Sequence, residues 1–233
     1  MMTLKKRVKV LRVAGEADRV HALKVLQATY REEKNWVNNE EKVFPPEDLT
    51  KKDVSWFVVL VDDRPVGVVR VLYSPPLDLY REYGFKKIAD NLDVEEFVRA
   101  HRIAEIGRFA VLPEFRKYIV VVVMLMSAAS KETVQMGYTH YITDIFEGER
   151  HSPYEFHRRV MGFEQVATHD TGELNCPNRR ITMILDLKEG YRRLRTNQNW
   201  IFRLLTEDWP EDLHQRLMLN GKPETKPPEA PAS

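Results

Sequence analysis

The stretch Ile103–Gly137, IAEIGRFAVLPEFRKYIVVVVMLMSAASKETVQMG, constrains the fold of this chain more than any other. It opens as an apolar strand carrying Glu105 and Arg108, turns at Pro113, and continues as a helix-length apolar segment that ends at Gly137. Strand, basic turn and helix in that order predict backbone N–H groups at a helix N-terminus, where a phosphate can be held. A carboxylate inside an apolar strand is costly to bury without a partner or a task. Side chains alternate along a regular strand, so Glu105 and Arg108 have the wrong parity to share a face. Gly107 between them marks a place for a bulge, which re-aims a side chain and frees a backbone N–H.

Two readings of this pair follow from the residues. In one, Glu105 is a general base for an amine and Arg108 holds a carboxylate or carbonyl. In the other, the two form a buried ion pair at a sheet edge. Phe109, Ala110 and Val111 make the surroundings apolar, which shifts pKa values and favours the first. Arg116, Lys117 and Tyr118 precede the helix, either as a phosphate-holding turn or as an ordinary solvated one. The β-branched run Ile119–Val123 is a mediocre helix former and must be held by packing. His157, four residues after Pro153, is either a proton donor to a leaving thiolate or a partly exposed helix histidine.

Around this centre, alternation predicts a first strand over Val8–Val13, closed by Gly15. Helical spacing follows from Glu16 through Val20, Leu23, Leu26 and Tyr30. Asn38–Asp53 reads as a long loop of the kind that is often functional or mobile. Trp56–Val61 and Val66–Tyr73 are strands joined by hairpin chemistry at Asp62–Pro65. Asp93–Arg102 reads as a helix with Val94, Phe97 and Val98 inward. After the Ile103–Leu112 strand and its helix come a strand at Thr139–Phe146 and a short helix at Ser152–Met161, capped by Ser152 and ended by Gly162. Phe163–Ala167 starts a strand, His169–Asn178 is a loop, and Arg180–Leu187 is the last strand. The order describes an α+β mixed-sheet domain, not a doubly wound one.

The remainder is helical, with Leu187, Tyr191, Leu194, Gln198, Ile201 and Leu205 on one face and a basic opposite face. That basic face is either plainly solvated or able to dock an acidic carrier protein or a membrane surface. The expected organisation is a domain over 1–187, a helical extension over 188–220 and a disordered proline-rich tail over 221–233.

Composition excludes more than it assigns. A net charge of +1 gives no case for nucleic-acid binding. Cys176 is the lone cysteine and suits a reducing compartment. The longest apolar run, Tyr118–Met126, is too short to span a bilayer, and the N-terminal residues lack a cleavage-site pattern, so a cytoplasmic protein is expected. The histidines show no metal-ligand pattern, and no P-loop, Gly-x-Ser-x-Gly or Gly-x-Gly-x-x-Gly is present. Tyr30, Trp36, Trp56 and Tyr73 read as core or loop anchors rather than cofactor stackers.

Four separate pieces resemble the acyl-homoserine-lactone synthases and long-chain N-acyl amino acid synthases of the Gcn5-related N-acyltransferase (GNAT) superfamily. Glu105-Ile-Gly-Arg108-Phe109-Ala-Val111 is similar to their Glu-x-x-Arg-Phe-x-Val strand. Tyr30-Arg31-Glu32-Glu33 followed by Trp36 is similar to a helix-end stretch. Val66-Gly67-Val68-Val69-Arg70 is similar to a Gly-x-x-Arg strand. Phe156-His157-Arg158-Arg159-Val160-Met161-Gly162-Phe163 is similar to Phe-Tyr-Arg-Arg-x-x-Gly-Phe, with histidine in place of tyrosine.

The resemblance implies a mostly antiparallel central sheet flanked by helices, with the C-terminal helices added. It implies transfer of an acyl group from an acyl-CoA or acyl-carrier-protein thioester to the primary amine of an amino-acid-like acceptor. Glu105, Arg108 and His157 would be catalytic. Phe109, Val111, Arg116, Lys117, Tyr118 and Ile119 would hold the thioester arm, and Arg70, Trp36, Tyr141 and Thr143 the acceptor, with no metal. An acetyl-CoA-dependent acetyltransferase and a catalytically silent binding module are the rivals on the same fold. The acetyltransferase signature Arg/Gln-x-x-Gly-x-Gly/Ala reads Arg116-x-x-Ile119-x-Val121 here, without the glycines that admit a pyrophosphate. This favours a carrier-protein donor. The acidic pair of the lactone synthases is matched only by Asp48 and Asp53, which points away from a lactone product. Oligomeric state is left open.

Overall fold

A computed structural model describes residues 7–76, 86–88, 93–149, 151–196 and 200–218. The proline-rich tail and Gln198 lie outside the described residues. One eight-stranded sheet runs in the order β1-β2-β3-β5-β6-β8-β7-β4. The strands are β1 (Val8–Arg12), β2 (Val54–Val61), β3 (Arg64–Tyr73), β4 (Lys86–Lys87), β5 (Ile103–Val111), β6 (His140–Phe146), β7 (Glu164–His169) and β8 (Arg180–Asp186). Every neighbouring pair is antiparallel except β5 and β6, which are parallel. This is the expected α+β mixed, mostly antiparallel sheet.

Three helices of different character pack against the sheet. α1 (Glu16–Leu26) continues directly into a π-helical stretch, Gln27–Glu33. π-helical turns occur frequently at functional sites. α2 (Val94–Ala100) packs Phe97 and Val98 on Ile103 and Ile142. α3 (Ile119–Gln135) follows β5 and is apolar nearly all round, burying Val120, Val121, Val123, Leu125, Met126, Ala129 and Val134. A helix of that composition needs cover on more than one side. It has the sheet on one flank and, on another, the C-terminal helices, whose Leu187, Tyr191, Leu194, Ile201 and Leu205 join the same core.

Two expectations change. The C-terminal region is not one continuous helix but α4 (Leu187–Thr196), α5 (Trp200–Thr206) and α6 (Glu211–Met218). The apolar spacing read across 187–205 stops short of the non-helical turn at 207–210, between α5 and α6, and does not record it. The 38–53 segment is not a free loop either. Phe44 stacks on Trp56 at 4.1 Å, and the Trp56 indole donates to Asp48 at 3.1 Å, so aromatic burial pins it to β2. Among the described residues no helix is long and apolar enough to cross a membrane.

Candidate active site

The centre of the sheet is irregular where the chemistry-bearing residues lie. Along β3 and β5, Arg70 stands opposite Gly107 and Val68 opposite Ala110. Two residues, Arg108 and Phe109, therefore face Val69 alone, which is a β-bulge. Arg108 takes the strained left-handed conformation, φ 51°. The bulge sits one position later than the glycine suggests. Gly107 itself keeps register, and its missing side chain leaves room for a neighbour: a Cβ there would lie 2.7 Å from Glu105 Oε1. A side chain at 107 would push the Glu105 carboxylate, the far end of a flexible side chain, out of its place across the glycine.

Parallel pairing between β5 and β6 lasts only from Ile103↔His140 to Glu105↔Ile142. Beyond that point β5 has no strand partner on its β6 side, and a cleft of about 420 Å³ opens. Tyr30, Trp36, β5 from Glu105 to Val111, Thr143, His157 and the segment 172–174 line it. A volume of this order suits a small-molecule ligand.

Glu105 accepts from Arg70 Nη2 at 2.6 Å, and Arg108 donates through Nη2 to Glu173. The Nε atoms of both arginines are buried without a hydrogen-bond partner. Burial opposes the Arg70 charge, but Glu105, Glu173 and Asp48 outweigh it and hold its pKa above the usual arginine value. Burial pushes the Tyr30 phenol up, against the pull of Arg108 and Arg70, so it stays protonated at neutral pH. Two carboxylates, two guanidiniums and a phenol thus share one crevice.

The structure brings most of the expected residues to the cleft wall: Glu105, Arg108, Phe109, Val111, Arg116, Ile119, Trp36, Thr143 and His157. Arg70 joins them through Glu105. Others fall elsewhere. Tyr141 pairs with Ala104 inside the parallel ladder, below the point where the strands part, and its hydroxyl donates to Thr133 of α3 at 2.7 Å. It is a core residue, so it cannot touch an acceptor. Lys117 lies over the Tyr118 ring at 5.1 Å, and neither lines the cleft.

Arg116 is present but occupied. It donates through Nε to the Val111 carbonyl at 2.9 Å and through both terminal nitrogens to Glu33. That bidentate pairing holds the Glu33 carboxyl below its ordinary range. A phosphate at this turn would have to displace Glu33, so Arg116 as placed is no anion cradle. Asp48 is likewise spent on Trp56 and Lys51.

His157 is buried rather than half-exposed, packed on Phe163 at 4.8 Å. Burial pushes its pKa down to about 4, and Nδ1 lies 3.0 Å from the Pro153 carbonyl, which can only accept. The proton is therefore on Nδ1, and Nε2 is an acceptor. At neutral pH this ring cannot protonate a thiolate. His140 is also lowered to about 4, by burial and by His101, against Asp186.

Because both folded pKa values lie below the unfolded value near 6.5, the unfolded chain takes up protons first as pH falls. The stabilisation is complete above about pH 6.5 and is lost on the way down to about pH 4, worth roughly 2–4 kcal/mol per ring. Urea midpoints should fall steeply across that window, and less steeply in His157→Gln. An identical slope in the variant would contradict a buried neutral ring.

Sequence reasoning missed Glu173, Lys34 and Glu149 and undervalued Tyr30. Lys34 pairs with Glu149 at the cleft and lies 5.7 Å from the Trp36 ring. Tyr30 carried a signal, since it follows a helical run and precedes Trp36. The others sit in polar segments without pattern.

Residues 21–179 match the profile of the FeeM N-acyl amino acid synthase family. No curated protein sequence matches the chain. Among solved structures, FeeM, an N-acyl amino acid synthase from uncultured soil microbes, superposes with a TM-score of 0.62 at 14% identity, covering 82% of this chain and 97% of that one. A protein assigned to the GNAT family of acetyltransferases from Desulfovibrio desulfuricans superposes at 0.52 and 12% identity, over 77% and 99% of the two chains. The ribosomal-protein-S18-alanine N-acetyltransferase of Escherichia coli gives 0.51 at 10%, over 77% and 94%. At identities this low the superpositions show the fold alone, and the profile match over most of the chain shows the family. The chain belongs to the FeeM N-acyl amino acid synthase family, and is an N-acyltransferase that shares its fold with GNAT acetyltransferases.

Proposed function

We propose that the chain transfers an acyl group from a thioester to the α-amine of an amino acid whose carboxylate is held by Arg108 and Arg70. The observation that carries this reading is the presence of Glu105 and Arg108 on either side of Gly107 at the β5 bulge, both lining the cleft where β5 and β6 part. A bulge leaves one residue outside the ladder, so a backbone N–H near Arg108–Phe109 is free to polarise the thioester carbonyl. The amine attacks that carbonyl, the N–C bond forms and the C–S bond breaks. The amine proton, acidified as the N–C bond forms, goes to Glu105 directly or through one water. Thiols have a pKa near 8.5, so the sulfur leaves as thiolate without a strong acid. This suits a site where His157 has no proton to give.

The acyl donor is read from the turn before α3. Ile119 and Val121 stand where glycines would admit a pyrophosphate, and Arg116 is engaged by Glu33. Both favour a donor recognised through its pantetheine arm, as on an acyl carrier protein, over one recognised through the CoA pyrophosphate. A thiol-release assay with product mass analysis tests the reading. Acyl-carrier protein, long-chain acyl-CoA and acetyl-CoA are each offered with a mixture of amino acids. N-acyl amino acids should form, fastest from the carrier protein. Thiol release without any N-acyl product would overturn the transfer reading, and a preference for acetyl-CoA would favour the small-molecule acetyltransferase alternative.

A further inference from the structure

Glu173 stands in the segment between β7 and β8 and reaches across the cleft to Arg108. Its side chain is 52% exposed, whereas that of Arg108 is only 13% exposed. Such a pair is unequal: the carboxylate can swing into water at little cost, but the guanidinium cannot be left buried without an anion. Glu173 bonds only Nη2 of Arg108, and Nε beside it is buried without a partner. Nε and Nη2 form one edge of the guanidinium, which a single carboxylate spans with two parallel bonds. The present occupant fills half of that edge.

The segment carrying Glu173 is fixed independently of that contact. Buried Arg180 donates to the Asp170 carbonyl at 3.1 Å and to the Leu174 carbonyl at 2.7 Å, while the Asn175 amide donates to the Trp36 carbonyl at 2.9 Å. The backbone therefore has no need of the Glu173 side chain to stay over the cleft.

Resting on the N-acyl amino acid reading above, we infer that Glu173 is a specificity residue: it occupies the acceptor-carboxylate subsite on Arg108 and is exchanged for the acceptor's own carboxylate. Exchange makes a carboxylate on the acceptor obligatory, because an amine without one leaves Glu173 in place across the cleft. It also sets the affinity, since the site is open only for the fraction of time Glu173 is off Arg108.

The test uses the full chain and its Glu173→Gln variant with an amino acid and the corresponding amino acid amide. KM for the amino acid should fall about three- to tenfold in the variant, with KM for the thioester unchanged. The amide should gain no comparable advantage. Direct titration of the amino acid without donor should show the same tightening. An unchanged or raised KM and binding constant for the amino acid, or an equal gain for the amide, overturns the exchange. Acylation of carboxylate-free amines by the wild type, with Glu173→Gln neutral, leaves acyl transfer standing and removes this proposal. Wild type and variant both failing to bind the amino acid overturns the proposal together with the acceptor assignment, whatever the thiol-release assay shows.

Discussion

Glu105→Gln should lower kcat by about 10²–10⁴-fold, the range that a positioned general base contributes. The variant is nearly isosteric, and its amide oxygen can still accept from Arg70 Nη2, the bond that Glu105 makes at 2.6 Å. Gly107 continues to leave room for the side chain, because the space it opens is set by the backbone. The thermal midpoint should fall by several degrees, because buried Arg70 loses its anion, while the variant stays folded at the assay temperature and turnover collapses. Loss of the negative charge leaves Arg70 in a more positive crevice, so KM for an acceptor carboxylate should not rise. Turnover within a few-fold of wild type would remove Glu105 from the role of base and leave it as a structural partner of Arg70.

Arg108→Ala should raise KM for the amino acid by at least about 30-fold, with a smaller effect on KM for the thioester. Truncating one partner of a buried, hydrogen-bonded charge pair costs about 2–5 kcal/mol of binding, and here the lost partner faces the acceptor. The left-handed backbone at position 108 is as unfavourable for alanine as for arginine. The substitution therefore adds little strain of its own. Arg108→Lys keeps the charge but loses the planar fork, and should recover only part of the loss. An Arg108→Ala enzyme with unchanged acceptor KM would place the carboxylate elsewhere.

These predictions show what the sequence could and could not reveal. Glu105 and Arg108 were legible because an acid and a base inside an apolar strand are expensive, and the parity conflict between them called for a bulge. Its position was not legible, because Gly107 serves the Glu105 carboxylate while Arg108 itself absorbs the turn. α3 was legible as a helix held by packing, but the turn at 207–210 between α5 and α6 was not, since the apolar spacing read from the sequence ended at Leu205. Arg116 looked like a phosphate ligand because a local pattern says nothing of Glu33, which arrives from the end of a π-helical stretch. Glu173 was illegible for the same reason: its meaning comes from the residue it meets across the cleft. Tyr141 and Thr143 are two residues apart on one strand, and only the end of the ladder with β5 separates a core residue from a cleft residue.

The most direct measurement is the crystal structure of the protein bound to an N-acyl amino acid product. The product's carboxylate should lie on the Nε–Nη2 edge of Arg108, with Glu173 turned away and the amide nitrogen within hydrogen-bond reach of Glu105 or one water from it. A product seated away from the β5 bulge, or a Glu105 carboxylate sealed off from it, would contradict the account.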